Sequence, residues 1–286
     1  MKIFLTGGTG FIGSHFINQA HSADHDIIAL RRPNSGKPRI KLNREPSWLE
    51  CEMSSLAPDN FTGCDVLVHL AAHSTNPPYD TLANCITWNV QAPHFMFDKA
   101  HIGGVSLFVV AGSCFEYGQS GNHYEFIPTD APLEPTLSYS ASKAAASVTF
   151  RAWACEANVR LAILRIFHVY GEGELESRFW PALRNAARLG EDFPMTDGEQ
   201  VRDFVPVQLV AATFLNTCLR EDLIRGCPII ENLGTGHPQS LRSFAESWWK
   251  QWEAKGKLLF GALPYRPNEV MRYVPLIETP NSCGSI

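Results

Sequence analysis

The sequence predicts an α/β fold in which helices cover both faces of a doubly wound parallel sheet, followed by a smaller, irregular C-terminal lobe. Three observations support this fold class. A short β-rich run opens the chain and ends in a glycine turn that leads into a helical pattern. Buried apolar runs then alternate with helical patterns as far as Gly171. After Gly171 the alternation weakens and aromatic, proline-containing segments follow.

Each element follows from its apolar spacing and from the turn residues that bound it. Alternating strands and helices require a parallel sheet, because each crossover helix covers one sheet face. Strands are predicted at residues 2–6, 26–30, 65–71, 106–111 and 159–167, and helices at residues 14–21, 82–100 and 140–157. The predicted nucleotide-binding domain covers residues 1–171, with a return segment near 205–235. Residues 172–204 and 236–286 form the predicted substrate lobe.

Composition excludes several classes of protein. The 286 residues are 45% hydrophobic and 19% charged, which is typical of a folded chain with a large core. The net charge of −5 gives no electrostatic reason for binding nucleic acid or an anionic membrane. The eight cysteines are scattered without metal-ligand spacing, so we expect reduced thiols and no metal site. The sequence contains neither an apolar run long enough to span a membrane nor the apolar core of a signal peptide. We therefore expect a cytoplasmic protein.

The glycine turn GGTGFIG predicts a dinucleotide site. Gly7, Gly10 and Gly13 lie between the first strand and the first helix, where a tight turn lets the backbone approach a ligand. The free N–H groups of the helix start would receive a pyrophosphate. An ordinary strand–helix turn is the alternative. The cofactor contacts expected in this turn are Gly7, Thr9, Gly10, Phe11, Ile12 and Gly13.

The end of the second strand favours NADP(H) over NAD(H). An NAD site usually has an Asp or Glu there to hold the ribose hydroxyls, whereas this sequence has Arg31 and Arg32. Two guanidinium groups suit the 2′-phosphate of NADP. NAD(H) stays an alternative, because the two arginines can also form a solvated loop pair.

Tyr139 and Lys143 form the main catalytic hypothesis. They are spaced as Y-x-x-x-K, so both side chains project from one face of the predicted helix. A neighbouring cation lowers the pKa of a phenol, which predicts a Tyr139 pKa shifted toward neutrality and a role as acid or base. Ser113 ends the fourth strand at the carboxyl edge of the sheet, where its hydroxyl could hold a substrate oxygen. A solvated surface pair is the alternative for Tyr139 and Lys143.

Together these motifs resemble the extended short-chain dehydrogenase/reductase family, and the resemblance covers nearly the whole chain. The motifs are GGTGFIG, DVLVHLAA, SCFEYG, YSASK, LRIFHVYG, VRDFVPV, NLGTG and YRPNEV. The resemblance implies a Rossmann domain, hydride transfer at the nicotinamide C4, and a tyrosine that shuttles a sugar-hydroxyl proton. It also implies that Lys143 grips the nicotinamide ribose. The further cofactor contacts that follow from it are Leu70, Ala71, Ala72 and Asn89.

The resemblance also supplies substrate residues. It implies that Arg202 and Arg266 contact the diphosphate of a nucleotide sugar and that Glu269 lies near the nucleotide. A salt bridge to Asp203 is the alternative for Arg202, and a surface carboxylate is the alternative for Glu269. His168 replaces the usual asparagine of LRxFN, so it is either a substrate contact or a packed histidine.

Departures from the family patterns exclude some of the reactions that family members catalyse. Cys114 and Phe115 stand where related 4,6-dehydratases have an Asp-Glu pair, and the Cys and His of GDP-fucose-forming epimerase/reductases are missing. The remaining hypotheses are an NADPH-dependent 4-keto reductase acting on a nucleotide-linked 4-keto-6-deoxy sugar and an NAD-dependent 4-epimerase; Arg31 and Arg32 favour the reductase. A catalytically silent NADP-binding protein is the alternative from another class. Family dimers use helices equivalent to residues 84–101 and 140–157, which predicts a homodimer.

Overall fold

A computed structural model describes residues 1–266 and 269–277. Within these ranges seven strands form one parallel sheet in the spatial order β11-β6-β5-β4-β1-β2-β3. Their bounds are β1 Lys2–Thr6, β2 Asp26–Arg31, β3 Ser47–Glu50, β4 Val66–His69, β5 Leu107–Ser113, β6 Arg160–Ile166 and β11 Ile229–Leu233. The order reverses between β1 and β4, and ligands of open α/β sheets bind in the crevice outside such a reversal. The predicted doubly wound sheet is confirmed.

Helices cover both faces of the sheet because successive strand residues point to opposite sides. Ile3 and Leu5 pack toward helices α1 and α6, whereas Phe4 packs with Phe97 and Phe150 on the opposite face. The helices are α1 Phe11–Ser22, α2 Leu82–Ile86, α3 Ala92–Ile102, α4 Ser138–Glu156, α5 Phe179–Leu189, α6 Val207–Cys218 and α7 Leu241–Gln251. A π-helical turn at Thr87–Gln91 joins α2 to α3.

Short strands and one-turn helices complete the fold. The remaining strands are β7 His168–Tyr170, β8 Phe193–Pro194, β9 Val201–Arg202, β10 Phe204–Pro206, β12 Gln239–Ser240, β13 Leu258–Leu259 and β14 Arg272–Tyr273. The 3-10 helices are Met53–Ser55, Pro58–Phe61, Cys114–Tyr117 and Gln119–His123. Helices α5 and α7 pack around Leu183, Met195 and Ala245 in a separate small core. The proposed division of the chain into two lobes stays a prediction.

Three local features differ from the sequence-based elements. Strands β3 and β11 are additional; β3 pairs with β2 at Arg31↔Glu50, and β11 pairs with β6. The predicted helix over 82–100 is interrupted by the π turn. The helix that carries Tyr139 begins at Ser138, with the Ser140 hydroxyl accepting the Leu137 N–H and thereby capping its first turn.

Candidate active site

A cleft of about 1050 Å³ runs along the carboxyl edge of the sheet. It is lined by the glycine turn, the segments that follow β2, β4, β5 and β6, and the start of α4. This is the crevice at the strand-order reversal between β1 and β4. Among the described residues, the sequence-predicted side chains that line it are Thr9, Phe11, Ile12, Arg31, Arg32, Leu70, Ala71, Ala72, Ser113, Tyr139, Lys143 and His168, together with Gly7, Gly10 and Gly13.

The glycine turn has the geometry of a pyrophosphate-binding turn. Gly7 has φ +78°, and a side chain there would press on the backbone of Leu70 and Ala71. A Cβ on Gly13 would collide with the Gly7 carbonyl oxygen. Gly10 caps α1 with its backbone alone, so the first N–H groups of the helix face the cleft without a side-chain acceptor. These residues therefore fit the phosphates of a dinucleotide cofactor.

Asn89 lies beside the cleft, and its side-chain amide forms hydrogen bonds with other residues of the protein. Its Oδ1 accepts the His73 N–H at 2.7 Å, and its Nδ2 donates to the His73 carbonyl at 3.1 Å and to the Ser142 Oγ at 2.9 Å. Ser142 in turn donates to the Tyr139 carbonyl at 2.7 Å. Asn89 thus fixes the segment after β4 against the helix that carries Tyr139.

The end of β2 combines cations with a carboxylate that the sequence reasoning missed. Arg31 and Arg32 both line the cleft, together with Lys37 and Arg39 of the following loop. Arg31 also pairs with Glu50 at 2.8 Å, because the unpredicted strand β3 aligns these two residues. Two carboxylates therefore lie at this end of the sheet, Glu50 and the cleft-lining Glu52, against the four cations.

Ser113, Tyr139 and Lys143 converge at the centre of the cleft. Ser113 ends β5, and its side chain lies near enough to the Tyr139 hydroxyl to influence its ionisation. Tyr139 and Lys143 are 9% and 4% exposed. Lys143 Nζ donates to the Ala111 carbonyl at 2.7 Å, which leaves two of its N–H groups for a ligand. The Tyr79 ring stacks on Tyr139 with centroids 5.9 Å apart.

The pKa of Tyr139 moves in the opposite direction from the sequence-based prediction. Burial raises the pKa of its hydroxyl, and the Ser113 side chain opposes that change only in part. Lys143 is buried too, and burial lowers the pKa of its ammonium group. The prediction considered only the neighbouring charge and omitted the cost of removing the phenolate from water.

Glu116 anchors this arrangement from behind. It is 0% exposed and accepts the Ser113 N–H at 2.8 Å, the Ser147 hydroxyl at 2.7 Å and the Arg165 Nε–H at 2.8 Å. Arg165 also donates to the Tyr117 hydroxyl at 3.0 Å. The carboxylate therefore joins β5, α4 and β6. A sequence signal existed, since Glu116 and Arg165 are charges within otherwise apolar motifs.

The wall nearest β7 holds His168, Glu174 and Arg178, of which sequence reasoning identified only the first. Burial and the nearby Arg202 and Arg178 lower the pKa of His168, so its imidazole is neutral. Phe115 lies at its ring edge, with centroids 5.7 Å apart. His168 is thus both packed and exposed to the cleft.

The three substrate residues from the C-terminal motifs lie outside the described cleft lining, and their contacts with the substrate stay a prediction. Arg202 pairs with Glu269 at 2.7 Å and donates to the Val270 carbonyl at 2.8 Å, whereas Asp203 accepts the N–H groups of Thr235 and Gly236. The side chain of Arg202 is 8% exposed. None of Arg202, Arg266 and Glu269 lines the cleft as the structure describes it. The guanidinium of Arg202 and the carboxylate of Glu269 therefore pair with each other.

Other chemistry is limited in the part of the chain that the structure describes. Burial raises the pKa of the Cys114 thiol to about 12, so this cysteine is a packed thiol and not a nucleophile. Residues 1–266 and 269–277 contain no cluster of His, Cys, Asp and Glu that could hold a metal ion. Over the same ranges, no helix combines the length and apolar character that crossing a bilayer requires.

Comparison with known proteins identifies the family. A relative, CDP-abequose synthase of Salmonella muenchen, is 27% identical over 94% of this chain and 87% of its own length. The dTDP-6-deoxy-L-talose 4-dehydrogenase (NAD(+)) of Aggregatibacter actinomycetemcomitans is 26% identical over 95% of this chain and 98% of its own. The structure of MoeE5 in complex with UDP-glucuronic acid and NAD is similar with a TM-score of 0.81, at 25% identity over 97% of this chain and 90% of that one.

The family assignment agrees with the motifs and with the sheet. Residues 3–221 match the NAD dependent epimerase/dehydratase family, which is more than half of the chain. The match spans the glycine turn, Ser113, Tyr139 and Lys143. The predicted resemblance to extended short-chain dehydrogenases/reductases is confirmed, and with it the expectation of an NAD(P)-dependent enzyme. The chain belongs to the NAD dependent epimerase/dehydratase family.

Proposed function

We propose that the protein reduces the 4-keto group of a nucleotide-diphosphate 4-keto-6-deoxy sugar with NADPH. The observation that carries this proposal is the convergence of Ser113, Tyr139 and Lys143 in one cleft with the glycine turn. The relative named as a 4-dehydrogenase of a dTDP-6-deoxy sugar supports chemistry at that carbon. MoeE5, with its UDP sugar and NAD, supports a nucleotide sugar as the substrate class.

Tyr139, Ser113 and Lys143 each have a different role in this reaction. The bound cofactor supplies a hydride to the keto carbon. Tyr139 donates its phenolic proton to the keto oxygen, so that the carbonyl becomes an alcohol. Ser113 donates a hydrogen bond to the same oxygen, and Lys143 holds the nicotinamide ribose with the N–H groups not used by Ala111.

The ionisation of Tyr139 favours the reductive direction. Burial raises the pKa of its hydroxyl, so the phenol is protonated at neutral pH. A proton donor is what reduction of a ketone requires, whereas oxidation of an alcohol requires a base. The protonated phenol therefore suits the proton-donor role that the proposed reduction assigns to Tyr139.

The cations after β2 support NADPH as the cofactor. Arg32, Lys37 and Arg39 are exposed and line the cleft beside Arg31. The 2′-phosphate of NADP carries negative charge that these groups can pair with. Arg31 is engaged by Glu50, so Arg32 is the arginine that we assign to the phosphate.

An NAD-dependent 4-epimerase is the second candidate, and the Arg31–Glu50 pair is the observation that favours it. Glu50 ends β3 next to β2, and Glu52, two residues further on, lines the cleft, where a carboxylate could hold a ribose hydroxyl. An epimerase oxidises and re-reduces the same sugar, so it would keep its NAD through purification.

We also propose a homodimer formed through α2, α3 and α4. Large apolar side chains are exposed on these helices, with Leu82, Phe95 and Val148 at 52%, 62% and 60%. Neighbouring exposed apolar residues on packed helices are typical of subunit interfaces. A second copy of the chain would cover them.

Titration of the purified protein with NADPH and NADH tests the cofactor, after a denatured sample has been checked for cofactor carried through purification. We expect an empty site and, because hydrogen bonds to charged groups are worth about 1.5–3 kcal/mol, about ten-fold or greater preference for NADPH. Arg32→Ala should lose that preference, and Arg188→Ala, on the exposed side of α5, should keep it. Retained NAD would instead support the epimerase.

Turnover tests the reaction. With NADPH and CDP- or dTDP-linked 4-keto-6-deoxyglucose, the wild-type protein should consume NADPH as the sugar ketone is reduced. Tyr139→Phe should bind NADPH normally and lose at least about 100-fold in turnover, the usual minimum contribution of a positioned proton donor. Undiminished turnover by Tyr139→Phe would contradict the assignment of the proton donor.

A further inference from the structure

Glu174 is a buried acid in the cleft that the reaction above does not use. It lies in the loop between β7 and α5 and lines the cleft together with His168 and Arg178. Its side chain is 8% exposed. Oε1 lies 3.5 Å from the Arg178 Nε, which is a long contact, and Oε2 has no hydrogen-bond partner among the described residues. A buried carboxyl oxygen without a donor is costly unless a ligand satisfies it.

Neighbouring charges put Glu174 on the sugar side of the cleft. Arg178 acts electrostatically on Tyr79, and Tyr79 stacks on Tyr139. Arg178 also acts on His168. Glu174 therefore shares the cleft with Tyr139, on the wall that His168 and Arg178 form. Burial raises the pKa of Glu174 to about 7, so at neutral pH its carboxyl can both accept and donate hydrogen bonds.

We propose that Glu174 binds a ring hydroxyl of the sugar and so contributes to the choice of hexose; this inference rests on the proposed nucleotide-sugar function. A hydroxyl supplies the donor that Oε2 lacks. A phosphate would be repelled by a carboxylate, and Arg178 next to Glu174 disfavours a sugar ammonium group at the same position. Glu174 is thus assigned to the hexose rather than to the diphosphate.

The test separates the sugar from the nucleotide. For UDP, CDP, dTDP and GDP, the affinity of the protein saturated with NADP is measured by calorimetry for the nucleoside diphosphate and for its glucose conjugate. The dissociation constant of the nucleoside diphosphate divided by that of its glucose conjugate measures how much the sugar contributes to binding. This ratio is compared among the wild type, Glu174→Gln, and the control Glu176→Gln, whose carboxylate is exposed and does not line the described cleft.

At pH 8, where the Glu174 carboxyl is mostly ionised, the expected result is a ratio lowered about ten-fold by Glu174→Gln, the size of one hydrogen bond to a charged group, with affinity for the nucleoside diphosphate unchanged. Glu176→Gln should match the wild type. An unchanged ratio in Glu174→Gln would overturn the inference and leave the proposed function intact. Equal losses for diphosphate and conjugate would overturn it too, because Glu174 would then serve the nucleotide or the loop. If the wild type binds none of the conjugates, the proposed function itself fails.

Discussion

Replacing Glu116 by Gln tests whether a buried ion pair holds the candidate active site together. The carboxylate of Glu116 is 0% exposed and accepts from Ser113, Ser147 and Arg165. A Gln can keep the contact with the Ser113 N–H, but its NH₂ group then faces the Arg165 Nε–H, donor against donor. Arg165 is 3% exposed and would become a buried charge without its carboxylate.

The expected loss in the free energy of unfolding follows from the burial of this ion pair. Removing one partner of a buried ion pair costs about 3–5 kcal/mol, and we expect Glu116→Gln to lower the free energy of unfolding by about this amount. Arg165→Met should cost a similar amount, because it leaves the Glu116 carboxylate unpaired. The double variant should cost less than the sum of the two single variants by about 2 kcal/mol, within the range for residues in contact.

Urea denaturation followed by circular dichroism measures these values. The control is Asp26→Asn, which removes the exposed pair with Arg44, where the side chains are 54% exposed for Arg44 and 78% for Asp26. Such surface pairs contribute less than about 1 kcal/mol. If Glu116→Gln destabilises the protein no more than Asp26→Asn does, or if the two single effects simply add, the proposed anchoring role of Glu116 is wrong.

Two further predictions concern the dimer and the acid in the cleft. Phe95→Glu should convert the proposed homodimer to a monomer in sedimentation velocity, whereas Leu189→Glu, at another exposed apolar position on α5, should not. A wild-type protein that sediments as a monomer at micromolar concentration would contradict the dimer. Because the pKa of Glu174 is raised from 4.5 to about 7, the folded protein holds a proton that the unfolded chain has released between these values. The stability of the wild type should therefore fall relative to Glu174→Gln as pH rises through this window, by at most about 3 kcal/mol, in urea titrations at several pH values. A pH-independent difference between the two proteins would show that the carboxyl titrates normally.

Apolar periodicity predicted most of the sheet because its strands are buried on both faces. Strand β1 was predicted with its observed bounds, since Ile3, Phe4 and Leu5 are all 0% exposed. Strand β3 was missed for the opposite reason. It is an edge strand of four residues with exposed or half-buried side chains, so its sequence SWLE carries no apolar pattern.

The position of the candidate site was predictable for a topological reason. Carboxyl ends of parallel strands meet at one edge, so Ser113 at the end of β5 and the turn after β1 must lie close together. Properties of the site that depend on burial, or on pairing between segments distant in the sequence, could not be predicted from the sequence. The raised pKa of Tyr139 requires knowing that its hydroxyl is shielded from water, and the Arg31–Glu50 pair requires knowing that β3 exists.

The residues of the family motif are fixed in position by residues that lie elsewhere in the sequence. Ser113 is held through its backbone by Glu116, and Lys143 by the Ala111 carbonyl. The Tyr139 carbonyl accepts from Ser142, which Asn89 holds from the π turn. A catalytic group must be fixed within a fraction of an ångström, so the triad alone is insufficient for efficient proton transfer. A chain that kept Ser113, Tyr139 and Lys143 but lost the Glu116–Arg165 pair would retain the motif without the geometry. Its cofactor binding, which we propose to use the glycine turn, would survive its loss of turnover.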